Sequence, residues 1–173
     1  MLNKNVAKLL NEQVNKELYS SYLYLDFSNY YRNKGLDGFA NWYFIQAQEE
    51  RDHALIVYNY LHENGEIVSL EAIAKPHVKI ESSEDPLKAA LGHEIFITDS
   101  INTIYEAAIK AKDFRTQQFL DWFVREQGEE EANASGLITK FELFGKDGRG
   151  LYLINEELKA RTYTPPSPLT RTE

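Results

Sequence analysis

Glu50-Arg51-Asp52-His53 sets a carboxylate and an imidazole three residues apart inside a segment of helical periodicity. Positions i and i+3 share one side of a helix, so both side chains can reach one metal ion. Three further helical segments each place a glutamate within an apolar stripe: Glu17, Glu94 and Glu130. A lone glutamate on such a stripe is ordinarily an edge residue that reaches water, and a lone E-x-x-H is a weak signal. The conjunction across four segments, near the middle of each, is what carries the argument. An ionised carboxylate taken out of water without a partner costs several kcal/mol, and four in one core repel one another. No stripe supplies a Lys or Arg to neutralise them. Protonation would relieve the charge, and so would two divalent cations bridged by the acids. Oxygen-rich ligation with one imidazole suits iron or manganese and leaves zinc open.

The elements that must position these groups follow from punctuation and period. Gly35 and Gly38, Gly65, the Pro76–Pro86 region, Lys112-Asp113 and the cluster Gly145, Gly148 and Gly150 divide the chain. Between them, apolar residues recur at helical spacing over about 5–33, 37–64, 84–112 and 114–144, with a shorter helix over 150–160. The first stripe reads Val14, Glu17, Leu18, Ser21, Tyr24, Leu25 and Ser28. The second runs Phe39 to Tyr60 through Gln46, Glu49, Glu50 and His53. The third includes Leu87, Glu94, Ile97 and Ile101, and the fourth includes Leu120, Phe123, Glu126, Gln127, Glu130 and Phe141. Short breaks make the first and second helices, and the third and fourth, antiparallel hairpins. The roughly 20 residues around Ile67–Ser83 are long enough to cross a bundle from end to end. The expected fold is all-α: a four-helix bundle with one long crossover between the second and third helices and a short fifth helix, the ferritin-like connectivity. Residues 1–162 read as one domain, and the Pro/Thr/Ser-rich stretch 163–173 as a loosely ordered tail.

Composition narrows the function classes. A chain of 173 residues can bury a core on its own. Cysteine is absent, which removes disulfides, thiolate-bound zinc, iron–sulfur clusters and a thiol nucleophile. The formal net charge of −8 argues against nucleic acid as a partner and suits a protein that attracts cations. No run of about 18 apolar residues exists to span a membrane as a helix. The N-terminal MLNKNVAKLLNEQVNKEL has the pattern of an amphipathic helix and not of a signal peptide. A cytoplasmic location is expected, or an organelle if a transit peptide has been removed.

The segments LLNEQVNKELYSSYLY, QAQEERDHA, GHEIFITDSIN, WFVREQGEEE and GLYLINEELK resemble those of bacterial-type non-haem ferritins, over nearly the whole chain. The resemblance implies iron storage with ferroxidase activity: Fe(II) oxidised by O2 or peroxide at a di-iron centre, and ferric mineral deposited in a hollow shell of 24 subunits. Glu17, Glu50 and His53 would hold one iron. Glu50, Glu94 and Glu130 would hold the second, with Glu50 bridging. Gln127 stands where a fully symmetric di-iron bundle has a glutamate, with Glu130 in place of its histidine. A third iron site would draw on Glu49, Glu126 and Glu129, with Glu130 shared. Tyr24 would hydrogen-bond a ligand such as Glu94 and could donate an electron; a plain core aromatic is the equal alternative. The fifth helix, through Leu151, Leu153, Ile154 and Leu158, would pack around a four-fold axis of the shell, with packing inside the same subunit the other reading.

Several departures are legible. Met1 is the only methionine, so haem ligation by methionine is excluded. Gly128 sits inside the fourth helix, where glycine costs about 1 kcal/mol relative to alanine; it could permit a local kink that loosens the third site, or leave room for a neighbour. Trp122, one turn before Glu126, could sit near the metals, with plain packing the favoured reading; Gln46, one turn before Glu50, could touch the site but is not counted among its residues. His62, His77 and His93 are isolated, and His93 is expected to face outward. Two other functions use the same residues differently: a di-iron oxidase or peroxidase without mineral, and a metal-free helical interaction protein.

Overall fold

A computed structural model describes residues 2–170. Six helices follow one another: α1 Lys4–Asn33, α2 Asp37–Glu63, α3 Asp85–Ala111, α4 Phe114–Phe144, α5 Gly148–Leu158 and α6 Ser167–Thr170. The described residues contain no strand. The first four helices form two antiparallel hairpins, α1–α2 and α3–α4, packed into one bundle.

Local chemistry explains the boundaries. Asn3 caps α1, its side-chain oxygen accepting from the Asn5 amide at 2.9 Å. Gly35, at φ +73°, turns the chain out of α1, and α2 begins two residues later. Leu36, at the N-cap of α2, has no capping side chain. Asn155 of α5 supplies the cap from a distance: its Oδ1 accepts from the Gly38 amide at 2.8 Å. A Cβ on Gly38 would lie 1.7 Å from the Asn155 carbonyl oxygen, so only glycine lets the two helices approach this closely. Between α3 and α4 the chain turns at Lys112, which takes the left-handed conformation without being glycine. Asp113 then caps α4 by accepting from the Thr116 amide at 3.1 Å.

The crossover, residues 64–84, runs along the outside of α1. Asn11 exchanges two hydrogen bonds with the backbone of Ser69, at 2.8 and 3.0 Å. Tyr31 donates to the Ser83 carbonyl at 2.6 Å. From residue 11 to residue 31 a helix advances about 30 Å, so this segment carries the chain from one end of the bundle to the other.

The core is divided. One cluster is aromatic, built on Tyr24, Phe27, Tyr31, Phe39, Tyr43 and Phe141. The other is mainly aliphatic, built on Leu10, Val57, Leu61, Ile97, Ile101, Ile104 and Leu120. The buried polar residues Gln13, Glu17, Gln46, Glu50, His53, Glu94, Gln127 and Glu130 lie between these clusters along the bundle. The buried face of α1 differs from the expected stripe. Gln13, Leu23, Phe27 and Tyr31 are inside, Leu18 is only half-buried and Leu25 is exposed. A 30-residue helix drifts around its axis relative to any short repeat, so a stripe read from its middle misplaces some members.

The short helix α5 splits its apolar residues. Ile154 and Leu158 are buried against the bundle, whereas Tyr152 and Leu153 are exposed. Beyond it the chain lies along α2, with Tyr163 donating to Asp52 and Leu169 packing on the aliphatic cluster. Of the expected tail, residues 171–173 lie outside the described residues. No helix among the described residues is long and apolar enough to cross a membrane.

Candidate metal centre

Each long helix delivers at least one polar group to the layer between the two apolar clusters. Glu17 comes from α1, Glu50 and His53 from α2, Glu94 from α3, and Gln127 and Glu130 from α4; all are buried. Ligand atoms of Glu17, Glu50 and His53 lie within 4.8 Å of one another, and those of His53, Glu126 and Glu130 form a second such group. The imidazole is common to both: Nδ1 is 3.4 Å from Glu50 Oε2, and Nε2 is 3.9 Å from Glu126 Oε1. Glu94 belongs to neither group. Its Oε1 accepts from the Tyr24 hydroxyl and its Oε2 from Gln127 Nε2 at 3.2 Å.

The donors that face these acids are neutral. Gln13 donates to Glu17 at 2.8 Å, and Gln46 donates to Glu130 at 2.7 Å and to Glu50 at 3.2 Å. No Lys or Arg among the described residues pairs with Glu17, Glu50, Glu94 or Glu130. Burial, and then the charge of Glu50, pushes the Glu17 carboxyl up to about 8. Burial is also the main cause that raises Glu50, Glu94 and Glu130. Tyr24 is held neutral by burial and by the adjoining Glu94 charge. Glu17 Oε2 is buried with no hydrogen-bond partner. A buried carboxylate oxygen left unpaired costs free energy that a proton or a cation removes. Four hard oxygen donors around one imidazole fit iron or manganese, and with no thiolate they do not make a closed zinc site.

Gln13 and Gln46 are each oriented by what the side-chain carbonyl accepts. Gln13 Oε1 accepts from Ser100 at 2.6 Å, and Ser100 in turn accepts from Lys16 Nζ at 2.6 Å. Gln46 Oε1 accepts from Arg161 at 3.0 Å. In both cases a cation set back from the centre forces the amide NH2 toward the carboxylates. Gln46, not counted among the site residues from sequence, touches two of the acids at once. Trp122 packs edge-on to His53 with ring centroids 5.4 Å apart.

The flank of the centre is more open. Glu126 is half-buried and Glu129 is exposed. Glu49 is half-buried, and its Oε2 accepts from Arg161 Nη2 at 2.5 Å. Gly128, between these residues, leaves α4 unbroken, and a Cβ there would meet nothing within 4 Å.

Sequence reasoning missed three partners. Arg161 lies beyond every periodic stripe, and nothing in its neighbourhood marks it as a site residue. Asp52, read only as part of the E-x-x-H spacer, is buried and accepts from Tyr163. His93 does not face outward. Its Nε2 shares a 2.7 Å hydrogen bond with Ser20 Oγ, and burial lowers its pKa to about 4. The 100° step from Glu94 turns it toward α1, which covers that side of α3.

Residues 7–144 match the family of ferritin-like domains. A bacterial non-heme ferritin of Campylobacter jejuni is 43% identical over 159 residues, covering 92% of this chain and 95% of that one. A bacterial non-heme ferritin of Staphylococcus epidermidis is 37% identical over 163 residues, covering 94% of this chain and 98% of that one. A solved structure of the Archaeoglobus fulgidus ferritin, engineered into a closed form, superposes with a TM-score of 0.92 at 37% identity. It covers 95% of this chain and all of that one.

Proposed function

The chain belongs to the ferritin family, and from that premise we propose that it stores iron and oxidises Fe(II) at the buried centre. One observation carries the reading: four buried carboxylates and one imidazole converge with only neutral donors around them, and Glu17 Oε2 has no partner. In this reading Fe(II) is the substrate. Glu17, Glu50 and His53 hold one ion, and Glu50, Glu94 and Glu130 hold the second. His53 offers Nδ1 to one side of the site and Nε2 to the other. Each Fe(II) gives one electron to O2 or peroxide, and the ferric product leaves to form mineral.

The protein's own work is positional and electrostatic. Carboxylates that are protonated when no ion is present exchange those protons for Fe(II). Gln13, Gln46 and Gln127 hold the carboxylates in register without adding charge. Tyr24 fixes Glu94 through its hydroxyl and is placed to pass an electron to the site. Glu126 and Glu129, with Glu49 and Glu130, form the third iron position.

Mineral storage needs an enclosed volume that one bundle does not provide. The shell of 24 subunits is supported by family membership and by the apolar surface of the single chain. Ile67 in the crossover is 92% exposed, and Tyr152 and Leu153 on α5 are also bare. A chain that presents this much apolar side-chain area is expected to bury it between copies. A cytoplasmic location is supported by the bacterial non-heme ferritins among its relatives.

Loading the apo-protein with excess Fe(II) in air, followed by sizing, tests the function. Many irons per chain in a large particle support storage. A few irons per chain in a small particle would make the protein a di-iron oxidase, and none would make it a metal-free bundle.

A further inference from the structure

The flank of the metal centre carries a cation of its own. Arg161 Nη2 donates to Glu49 Oε2 at 2.5 Å, and Nη1 donates to Gln46 Oε1 at 3.0 Å and to the Trp42 carbonyl at 3.2 Å. The guanidinium stacks over the Trp42 ring, 4.1 Å from its centroid. Both members of the ion pair are shielded, with side-chain exposures of 17% for Arg161 and 21% for Glu49. This is a built contact, unlike the exposed lysine pairs elsewhere on the surface, such as Lys8–Glu12. An arginine that is stacked and forked in this way is held by geometry that a lysine cannot reproduce.

Arg161 arrives on a strap. The chain after α5 lies along one face of α2: Asn41 donates to the Arg161 carbonyl at 3.0 Å, the guanidinium spans Trp42, Gln46 and Glu49, and the Tyr163 hydroxyl donates to Asp52. From Trp42 through Gln46 and Glu49 to Asp52 these contacts step along α2 at three- to four-residue intervals, so the strap follows a single stripe of that helix. The same stripe includes Glu49, one of the acids assigned above to the third iron position.

We propose that Arg161 is a tethered counter-cation that occupies the third iron position by holding Glu49, so that a third metal ion binds only when the strap releases it. The proposal rests on the metal-centre reading. The guanidinium turns Glu49 Oε2 toward itself, so a metal ion bound by this carboxylate would sit close to a fixed positive charge, and the two cations repel. Release is local: it breaks the Arg161 and Tyr163 contacts and leaves the bundle intact. Arg161 is thus a positioning residue with two effects. It keeps the third position closed, and it turns the Gln46 amide toward Glu50 and Glu130.

Anaerobic calorimetric titration of the assembled apo-protein with Zn(II), which undergoes no oxidation, tests this. The variants are Arg161→Gln, Arg161→Lys and the double variant Arg161→Gln with Glu49→Gln. Sizing and thermal melting confirm that each is assembled and folded. Arg161→Gln is expected to bind a third Zn(II) per chain about tenfold more tightly than wild type, a gain of the order of one lost charge-assisted contact. Arg161→Lys is expected to fall between the two. The double variant should lose the gain, because the benefit comes through Glu49 and not through general loosening of the strap. A third binding step equally strong or weaker in Arg161→Gln, with the first two steps intact, overturns the proposal alone. A gain that survives Glu49→Gln also overturns it. Absence of any tight Zn(II) in wild type and variants overturns the metal-centre reading and this proposal with it.

Discussion

Glu49 and Glu50 are neighbours in the chain, yet they meet opposite surroundings. A helix turns 100° per residue, and that turn carries Glu50 into the dry layer and Glu49 onto the flank. Glu50 is 2% exposed, faces Glu17, Gln46 and His53, and has its pKa raised by burial and by Glu94. Glu49 is also raised by burial, but Arg161 and His53 pull it back. The inner acids have no resident positive partner beyond a shared imidazole, whereas the outer acid has one built in. The contrast separates two uses of a carboxylate: an inner set left unneutralised, which creates demand for metal, and an outer acid, Glu49, already paired with a cation.

The sharpest break in this contrast comes from paired substitutions. Glu50→Ala should slow initial Fe(II) oxidation by about 100-fold or more, the scale expected when an essential ligand is lost. Glu49→Ala should cost only a few-fold. Stopped-flow absorbance of ferric formation compares them; equal losses would erase the distinction between the two regions.

Stability of the metal-free protein sharpens it next. The Glu17 carboxyl titrates near 8 in the folded chain and near 4.5 when unfolded. The folded state therefore binds the proton more tightly. The resulting stabilisation is fully present below about pH 4.5 and is lost as pH rises to about 8. Apo-protein should melt at progressively lower temperature across that window, and Glu17→Gln should melt about 5 °C higher than wild type at pH 8. Thermal melts at several pH values provide the check. A flat profile would mean that the inner acids are not held protonated.

Tyr24→Phe removes the hydroxyl that Glu94 accepts from. We expect anaerobic iron affinity to change by less than about threefold, as one neutral hydrogen bond allows. The decay of any oxidised intermediate should change more than that affinity does. Kinetics identical to wild type would return Tyr24 to plain packing. The smallest effect should come from Gly128→Ala. With open space at the Cβ position, it should stabilise α4 by about 1 kcal/mol and leave metal binding unchanged. A chemical-denaturation curve would show this, and a loss of stability would mean that Gly128 is needed for contact with another subunit.

How far the molecule could be read from its residues depended on the range of each interaction. Helical period, caps and glycine punctuation are local, and the expected helix ends lie within one or two residues of those observed for α1 to α5. The convergence of Glu17, Glu50, His53, Glu94 and Glu130 on one layer was legible because each sits on an apolar stripe that must face the core. The supports of that layer were not legible. Asn155 caps α2 across more than a hundred residues, and Arg161 reaches Gln46 from beyond the last apolar stripe of the bundle. Such side-chain hydrogen bonds leave no periodic trace. Serine and lysine at Ser100 and Lys16 look like solvated positions until Gln13 is seen between them and Glu17. His93 was misread because helical phase says which way a residue turns, not which helix covers that side.

The most direct test of the central claim is to count irons and protons together. Apo-protein is titrated with Fe(II) without oxygen, near pH 6.5, in a weakly buffered cell that records released protons. The account predicts two tightly bound irons per chain, with proton release that falls as the starting pH is raised past about 8, where Glu17 is already ionised. Tight binding without proton release, or no tight binding at all, would contradict the picture of an inner carboxylate layer that exchanges protons for iron.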